Sequence, residues 1–273
     1  MIIKNDLESI NVFSKEIRKL TLTMIYKARA SHIGGALSMA DLLAVLYSGV
    51  LRVDPLDPGW VQRDRFLLSK GHACTSLYAT LALCGFFPVR LLDDYAKDGS
   101  IFLSHTSCRV PGIELSTGSL GHALSFGCGL ALAAKRRMNE HKTFVLIGDG
   151  EMDEGSIWEA ILFAPQYKLD NLVLIVDYNK IQSLGTIEEV LNLSSLPKKF
   201  EAFNWDVFEI DGHDHLIIKN TFVSFKNNGK PKVIIAHTIK GKGINFMENK
   251  LLWHYKSPSE QEFNEAMAQL NNY

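Results

Sequence analysis

The chain has 273 residues, 29 Lys and Arg against 30 Asp and Glu, and a hydrophobic fraction of 47%. It is too apolar and too weakly charged for a disordered chain, and too long and too poor in its four cysteines for a disulfide-built secreted mini-protein. It also lacks the basic excess of a nucleic-acid binder, while its length suffices for a sizeable core.

The first twenty residues carry acids and bases at helical spacing, with no apolar export segment or cleavage site. No run reaches the roughly 18 apolar residues of a membrane-spanning helix. Residues 7–30 predict an amphipathic helix. Phe66 to Ser69 predict a buried strand leading into the triplet KGH and a helix from about Ala73 to Cys84. His122 to Ala134 predict a helix buried on most sides. Its Gly127, Gly129, Ala131, Ala133 and Ala134 would permit close helix approach, in a domain core or at a subunit interface. Thr143 to Ile147 predict a strand, followed by GDGEMDEG and a helix through Trp158 and Phe163. Further buried strands are expected over Leu172 to Val176, Asp206 to Ile210 and Val233 to Ala236, and a polar helix in the tail from Ser257 to Tyr273.

Strands alternating with helices predict an α/β fold: a doubly wound, mainly parallel sheet with helices on both faces, forming a single domain over 1–273. In such sheets ligands bind at the carboxyl ends of the strands, and the chemically suggestive motifs all fall there. Cys74, Cys84, Cys108 and Cys128 form no CxxC pair. Free thiols in a reducing cytoplasm are a simpler expectation than a zinc site.

The most informative stretch is Gly148-Asp149-Gly150. A strand ends, two glycines bracket a carboxylate, and the N–H groups of a following helix can hold an anion. On the next strand's end stands Asp177-Tyr178-Asn179-Lys180-Ile181. One carboxylate (Asp149), one amide oxygen (Asn179) and one main-chain carbonyl suit a hard cation such as Mg2+, which binds through few protein oxygens plus substrate phosphates. GDG by itself is an ordinary turn; the asparagine about thirty residues later is what gives it weight.

This GDG-to-Asn spacing resembles the signature of thiamine diphosphate enzymes. The stretches SHIGGALSMADLL, LLSKGHACTSLY, FLSHTSCRVPGIELSTGSLGHAL and IKGKGINFMENKLLWH resemble, in order and over nearly the whole chain, the amino-terminal half of transketolase. The resemblance implies thiamine diphosphate as cofactor, held through Mg2+ (with Ca2+ or Mn2+ able to substitute) by Asp149, Asn179 and the main chain of Ile181. It implies that Gly148 and Gly150 lie at the diphosphate, that Gly118 and Leu120 contact the aminopyrimidine ring, and that Glu154 helps link two active sites across an interface. Without it, Asp153 and Glu154 read as solvated acids near a helix start.

By the same resemblance His32 lies near the reacting carbons, and His72 contacts diphosphate and donor hydroxyls. His105 binds the donor's C1 hydroxyl, and His254 shuttles a proton near the diphosphate. Histidines suit this work because either protonation state is accessible near neutrality. His122, His141, His213, His215 and His237 are expected to be structural. Ser119 and Ser183 stand where many long transketolases have Pro and an apolar residue, as in split-subunit members.

A full transketolase chain is more than twice as long, and its pyrimidine-binding domain supplies the glutamate that activates the cofactor. The resemblance therefore implies a carboxyl-terminal partner subunit, an α2β2 heterotetramer, and transfer of a two-carbon ketol unit between sugars or sugar phosphates in the cytoplasm, with no nucleic acid or membrane partner. Two rivals remain open. One is another thiamine diphosphate enzyme, of the 1-deoxyxylulose-5-phosphate synthase or 2-oxo-acid dehydrogenase kind, against which His105 and KGKGINFMEN weigh. The other is a non-catalytic cofactor-binding scaffold.

Overall fold

The computed structural model describes residues 5–272. The ends of the expected domain 1–273, the start of the amino-terminal stretch and Tyr273 of the tail lie outside the described residues. In chain order the helices and strands are α1 (Leu7–Ala28), α2 (Ile33–Ser38), α3 (Ala40–Val45), β1 (Arg65–Leu68), α4 (Cys74–Cys84), α5 (Ala123–Arg136), β2 (Thr143–Gly148), α6 (Gly155–Gln166), β3 (Leu172–Tyr178), α7 (Ile187–Val190), α8 (Leu196–Ala202), β4 (Asp206–Asp211), α9 (His215–Val223), β5 (Lys232–His237) and α10 (Glu260–Asn272).

The five strands form one sheet in the order β1-β2-β3-β5-β4, with every pairing parallel. Alternation of side chains divides the core between the two faces. Phe66, Leu68, Phe144, Leu146, Val173, Ile175 and Ile234 face the side covered by α1, α3, α4 and α9. Leu67, Val145, Ile147, Leu172, Leu174, Val233 and Ile235 face the side covered by α5, α6 and α8. A third cluster joins α1 and α2 to the final loop and α10 through Leu22, Ile25, Ile33, Leu37, Met247, Trp253 and Leu270.

Local chemistry sets the element ends. The Asp6 carboxylate accepts from Ser9 N–H at 2.8 Å and caps α1. The α1 chain stops at Arg29, which adopts the left-handed conformation with φ 49°, so the helix ends slightly before the periodicity predicts. The helix expected from Ala73 begins with a tight turn at Gly71–Ala73 before α4. That turn needs glycine because a Cβ at Gly71 would lie 2.4 Å from the Thr117 carbonyl oxygen.

One expectation is corrected. Helix α5 is not buried on most sides: Leu124, Gly127, Cys128, Ala131 and Ala134 are buried, but Ser125, Phe126, Gly129 and Ala133 are exposed. Only one stripe of the helix meets the sheet and α6, and no other described residues of this chain cover the opposite stripe. Gly127 lies on the sheet side, where a Cβ would come within 2.6 Å of Val145 Cγ2. Close approach there is a helix-on-sheet contact within the domain.

Candidate active site

Parallel pairing places the carboxyl ends of four strands side by side. Gly148 is opposite Asp177, and Asp177 is opposite Ala236. The residues that follow each strand — Lys70, Asp149, Asn179 and Lys240 — therefore converge on one edge of the sheet, where they line a cavity of about 300 Å³. Every sequence-predicted site residue except Glu154 lines this cavity: His32, His72, His105, His254, Gly118, Leu120, Gly148, Asp149, Gly150, Asn179 and Ile181. Glu154 is exposed at the start of α6, against Gly121, and does not line it.

The four histidines come from four separate loops and meet at one mouth. The His32 ring lies 4.9 Å from His72, 5.2 Å from His254 and 6.5 Å from His105, and His72 lies 6.0 Å from His254. His32 has a left-handed backbone (φ 72°), and its N–H donates to the His254 carbonyl at 2.8 Å, tying the two loops together. Burial, with His105 and Lys240 adding to it, pushes His32 down to about 4. Burial, then Lys240, His32 and Lys70, pushes His254 down to about 3. His72 is held well below its ordinary value by burial and then by Lys70. All three are therefore neutral near pH 7, able to accept a proton from a bound hydroxyl or to hold it by hydrogen bonds.

The floor is ionic. Asp177 is wholly buried and accepts from Lys70, Thr238 and, at 2.6 Å, Ser38. Burial would raise its carboxyl, but the Lys70 ammonium and the hydrogen bonds from Lys70, Ser38 and Thr238 together outweigh burial and hold it below the usual range. Asp149 is 3% exposed and accepts from the N–H groups of Gly150, at 2.8 Å, and Lys180. Burial, with the nearby Asp177 charge, pushes it up to about 6. The Asn179 amide oxygen accepts from Ile181 N–H at 3.2 Å. Lys240 Nζ donates to the Ile181 carbonyl at 2.7 Å and lies 2.9 Å from His254 Nδ1. Burial pushes Lys240 down to about 8.

These residues fit a metal–diphosphate group. Asp149 is a buried carboxylate with too little positive charge nearby to hold it at its ordinary pKa, and a divalent cation would supply that charge. The Ile181 carbonyl already receives a cationic donor, so it is turned toward a positive charge. Gly150 keeps the backbone bare at the cavity, where a Cβ would crowd Gln182 at 3.1 Å; a Cβ on Gly118 would crowd His105 at 3.1 Å. Two lysines beside two aspartates make a floor of small net charge, suited to a ligand whose cation and anion nearly cancel.

Six cavity residues have no role in the sequence reading: Gly35, Lys70, Glu151, Gln182, Lys240 and Tyr255. Glu151 is 1% exposed; its Oε1 accepts from Gly121 N–H at 2.8 Å and from Ser69, while Oε2 has no partner among the described residues. Burial raises its carboxyl. Lys70 and Lys240 share one sequence signal, a lysine beside glycine just past a buried strand.

The remaining histidines lie elsewhere. His122 is exposed at the start of α5 and His141 is buried before β2. His213 and His215 bond to the buried Asp41 at 2.7 and 2.8 Å, and His237 bonds to Glu209 at 2.6 Å. The four cysteines are free thiols, and no cluster of three or more His, Cys, Asp or Glu placed to hold a metal occurs among the described residues. Nor is any described helix long and apolar enough to cross a membrane.

Comparison with known proteins identifies the family. Residues 10–271 match the family described as transketolase, thiamine diphosphate binding domain. The chain is 45% identical to an apulose-4-phosphate transketolase subunit from Phocaeicola vulgatus, over 97% of this chain and 94% of that one. It is 44% identical to the 6-deoxy-6-sulfo-D-fructose transketolase subunit SqwG of a Clostridium species, over 93% of each. Human transketolase is 34% identical over 98% of this chain, which spans only 44% of that protein. The crystal structure of transketolase from Campylobacter jejuni superposes with a TM-score of 0.92 at 32% identity, over 97% of this chain and 43% of the other. The chain thus spans less than half of the long transketolases it matches, and nearly all of the separate subunits. It belongs to the transketolase family, as a transferase subunit carrying that family's thiamine diphosphate binding domain.

Proposed function

We propose that this chain is the diphosphate-holding subunit of a two-chain, Mg2+-dependent transketolase that moves a two-carbon ketol unit from a ketose or ketose phosphate to an aldose or aldose phosphate. The observation that carries the reading is the meeting of four imidazoles, three of them within 6.5 Å of His32, above a floor of Asp149, Asn179 and the Ile181 carbonyl. A metal-anchored cofactor needs the floor, and a polyhydroxylated substrate needs the imidazoles. A 2-oxo-acid donor has few hydroxyls for them to meet.

Thiamine diphosphate, when bound, supplies the carbon nucleophile and the electron sink for breaking the donor's C2–C3 bond. Asp149, Asn179 and Ile181 would hold Mg2+, with Lys70 and Lys240 beside the diphosphate. Neutral His254 and His32 would accept the proton released as the C3 hydroxyl becomes the aldehyde of the leaving aldose, and return one when the acceptor's carbonyl oxygen becomes a hydroxyl. His105 would hold the C1 hydroxyl, and His72 would bridge diphosphate and substrate. Each positioned acid–base group contributes typically about 10²–10⁴-fold.

The site is open on one side, and we propose that a carboxyl-terminal subunit with the pyrimidine-binding domain closes it in an α2β2 assembly in the cytoplasm. Support comes from the two relatives named as separate transketolase subunits. A second support is the apolar face shared by α5 and α6, with Phe126 44% exposed and Leu162 63% exposed. Glu154, exposed at the start of α6, would help carry the proposed link between active sites. The sugar is proposed only as a class: one relative is named for apulose 4-phosphate and another for a sulfonated fructose, so a specialised sugar fits as well as a common pentose phosphate.

The test is to purify each subunit, assay them alone and mixed, and offer a ketose phosphate and pyruvate in parallel. Ketol transfer only in the mixture, with Mg2+ and cofactor, is expected. Full activity from this chain alone would refute the two-chain reading, and turnover of pyruvate without a ketose would refute the donor assignment.

A further inference from the structure

The rim of the cavity carries an aromatic residue whose placement the fold does not explain. Tyr255 lines the cavity beside the four histidines, yet it is 60% exposed. Its ring lies 4.6 Å from the His254 ring and 5.7 Å from the His32 ring, at 53° and 66° to them. Its hydroxyl has no hydrogen-bond partner among the described residues. An aromatic side chain that contributes to a core is buried and, if a tyrosine, usually finds a partner for its O–H. Tyr255 does neither, although its backbone is fixed.

The fixing is explicit. The turn Leu251–His254 is anchored by Trp253, which is buried in the third hydrophobic cluster and donates its indole N–H to the Phe246 carbonyl at 3.0 Å. The His254 carbonyl accepts from His32 N–H, and Tyr255 N–H donates to the Leu252 carbonyl at 3.3 Å. The next residue, Lys256, lies 4.7 Å over the Trp253 ring and pairs with Glu262. A rigid turn therefore presents one aromatic face and one free hydroxyl beside His32 and His254, on their solvent side.

A ring with a polar tip in that position matches a sugar chain, which offers C–H groups on one side and hydroxyls along its length. We propose that Tyr255 touches the substrate directly. Its ring packs against the carbons of the aldose portion beyond the scissile bond, and its hydroxyl bonds to one of that portion's hydroxyls, so that Tyr255 sets the preference for chain length and hydroxyl pattern. This rests on the ketol-transfer reading and deepens it: the histidines meet the reacting carbons, and Tyr255 selects what is attached to them.

The test uses the assembled two-chain holoenzyme with xylulose 5-phosphate as donor. The acceptors are glycolaldehyde, which ends next to the reacting carbon, and erythrose 4-phosphate and ribose 5-phosphate, which extend past it. Tyr255→Ala is expected to lower kcat/KM about tenfold or more for the two long acceptors and to leave glycolaldehyde within about twofold. Tyr255→Phe, which keeps the ring, is expected to lose only the roughly three- to tenfold worth of one hydrogen bond. Calorimetry on the same complexes should show weaker binding of ribose 5-phosphate to Tyr255→Ala, with thiamine diphosphate affinity and complex mass unchanged. The proposal is overturned if all acceptors lose equally, if none changes, if the loss follows cofactor affinity, or if the complex dissociates, which would make Tyr255 a subunit contact. Absence of ketol transfer in the wild-type complex from every ketose donor offered, xylulose 5-phosphate, a branched ketose phosphate and a sulfonated ketose among them, refutes the functional reading and this proposal with it. An active wild type with an indifferent Tyr255→Ala refutes this proposal alone.

Discussion

Asp149 and His105 belong to one cavity but answer to different chemistry. Asp149 is the only carboxylate in the proposed ligand set, and burial, with the neighbouring Asp177 charge, pushes it up to about 6. Asp149→Ala should abolish Mg2+-dependent cofactor binding while leaving the fold intact. Calorimetry with thiamine diphosphate, with and without Mg2+, measures this, and an unchanged affinity would contradict the ligand assignment. His105 lines the mouth 6.5 Å from His32, farther than His72 or His254. His105→Ala should lower donor turnover by about 10²–10⁴-fold with little change in cofactor affinity. A comparable loss in both would move His105 into the cofactor site. Asp149 and Asn179 were legible together, because a GDG turn at one strand's end, ordinary by itself, is followed about thirty residues later by an asparagine at the end of the next strand. Lys70 and Lys240 were not, because lysine in a sequence reads as solvated surface. Only the fold reveals that both ammonium groups turn inward, one onto Asp177 and one onto the Ile181 carbonyl.

Elements are held in place behind the site by a second ionic group. Asp41 on α3 is wholly buried and accepts from Arg18 of α1 and from His213 and His215 around the start of α9. His213 Nε2 in turn accepts from Ile239 N–H at 2.8 Å, next to Lys240, and Arg18 Nε donates to the Lys242 carbonyl at 3.2 Å. The His213 tautomer follows: Nδ1 carries the proton toward Asp41, and Nε2 is the acceptor. Burial would raise the Asp41 carboxyl, but Arg18 and the two histidines outweigh it and hold it well below its ordinary value. A depressed folded value stabilises the fold above the unfolded pKa of about 3.9 and is lost as pH falls through the folded one. Asp41→Asn should therefore lower stability near neutrality by about 3–5 kcal/mol and flatten the acid limb of Tm against pH. An acid limb as steep as the wild type's would contradict this account. Helix α5 gives a steric counterpart. Gly127→Val would put a side chain where even a Cβ meets Val145 at 2.6 Å, and should cost about 1–3 kcal/mol by overpacking, read from denaturant midpoints. The helix's periodicity was legible from its residues, but its exposed stripe was not. A run of Gly and Ala has little amphipathic contrast, so which side meets the sheet is decided by what packs there.

On the scale of the whole molecule, the parallel sheet is the device that makes a site from distant segments. Asp149 and Asn179 follow adjacent strands, Lys240 follows the next, and His32 and His254 come from opposite ends of the chain yet share a backbone hydrogen bond. The same architecture leaves the apolar α5–α6 face uncovered by the described residues. Phe126→Asp combined with Leu162→Asp should leave the monomer folded and reduce association in the proposed α2β2 complex, as measured by light scattering. An unchanged complex mass would remove that face from the assembly.

The sequence by itself determined the strand pattern, the parallel α/β class and the motifs at the strand ends, because side-chain alternation, glycine placement and short-range spacing are local properties. Only the tertiary structure decided that four histidines spread from position 32 to position 254 share one mouth, that Glu154 stays outside the cavity while Glu151 enters it, and that two lysines form its floor. Those outcomes depend on strand order, register and burial. They arise from contacts between residues far apart in the chain, for which a linear pattern carries no distance.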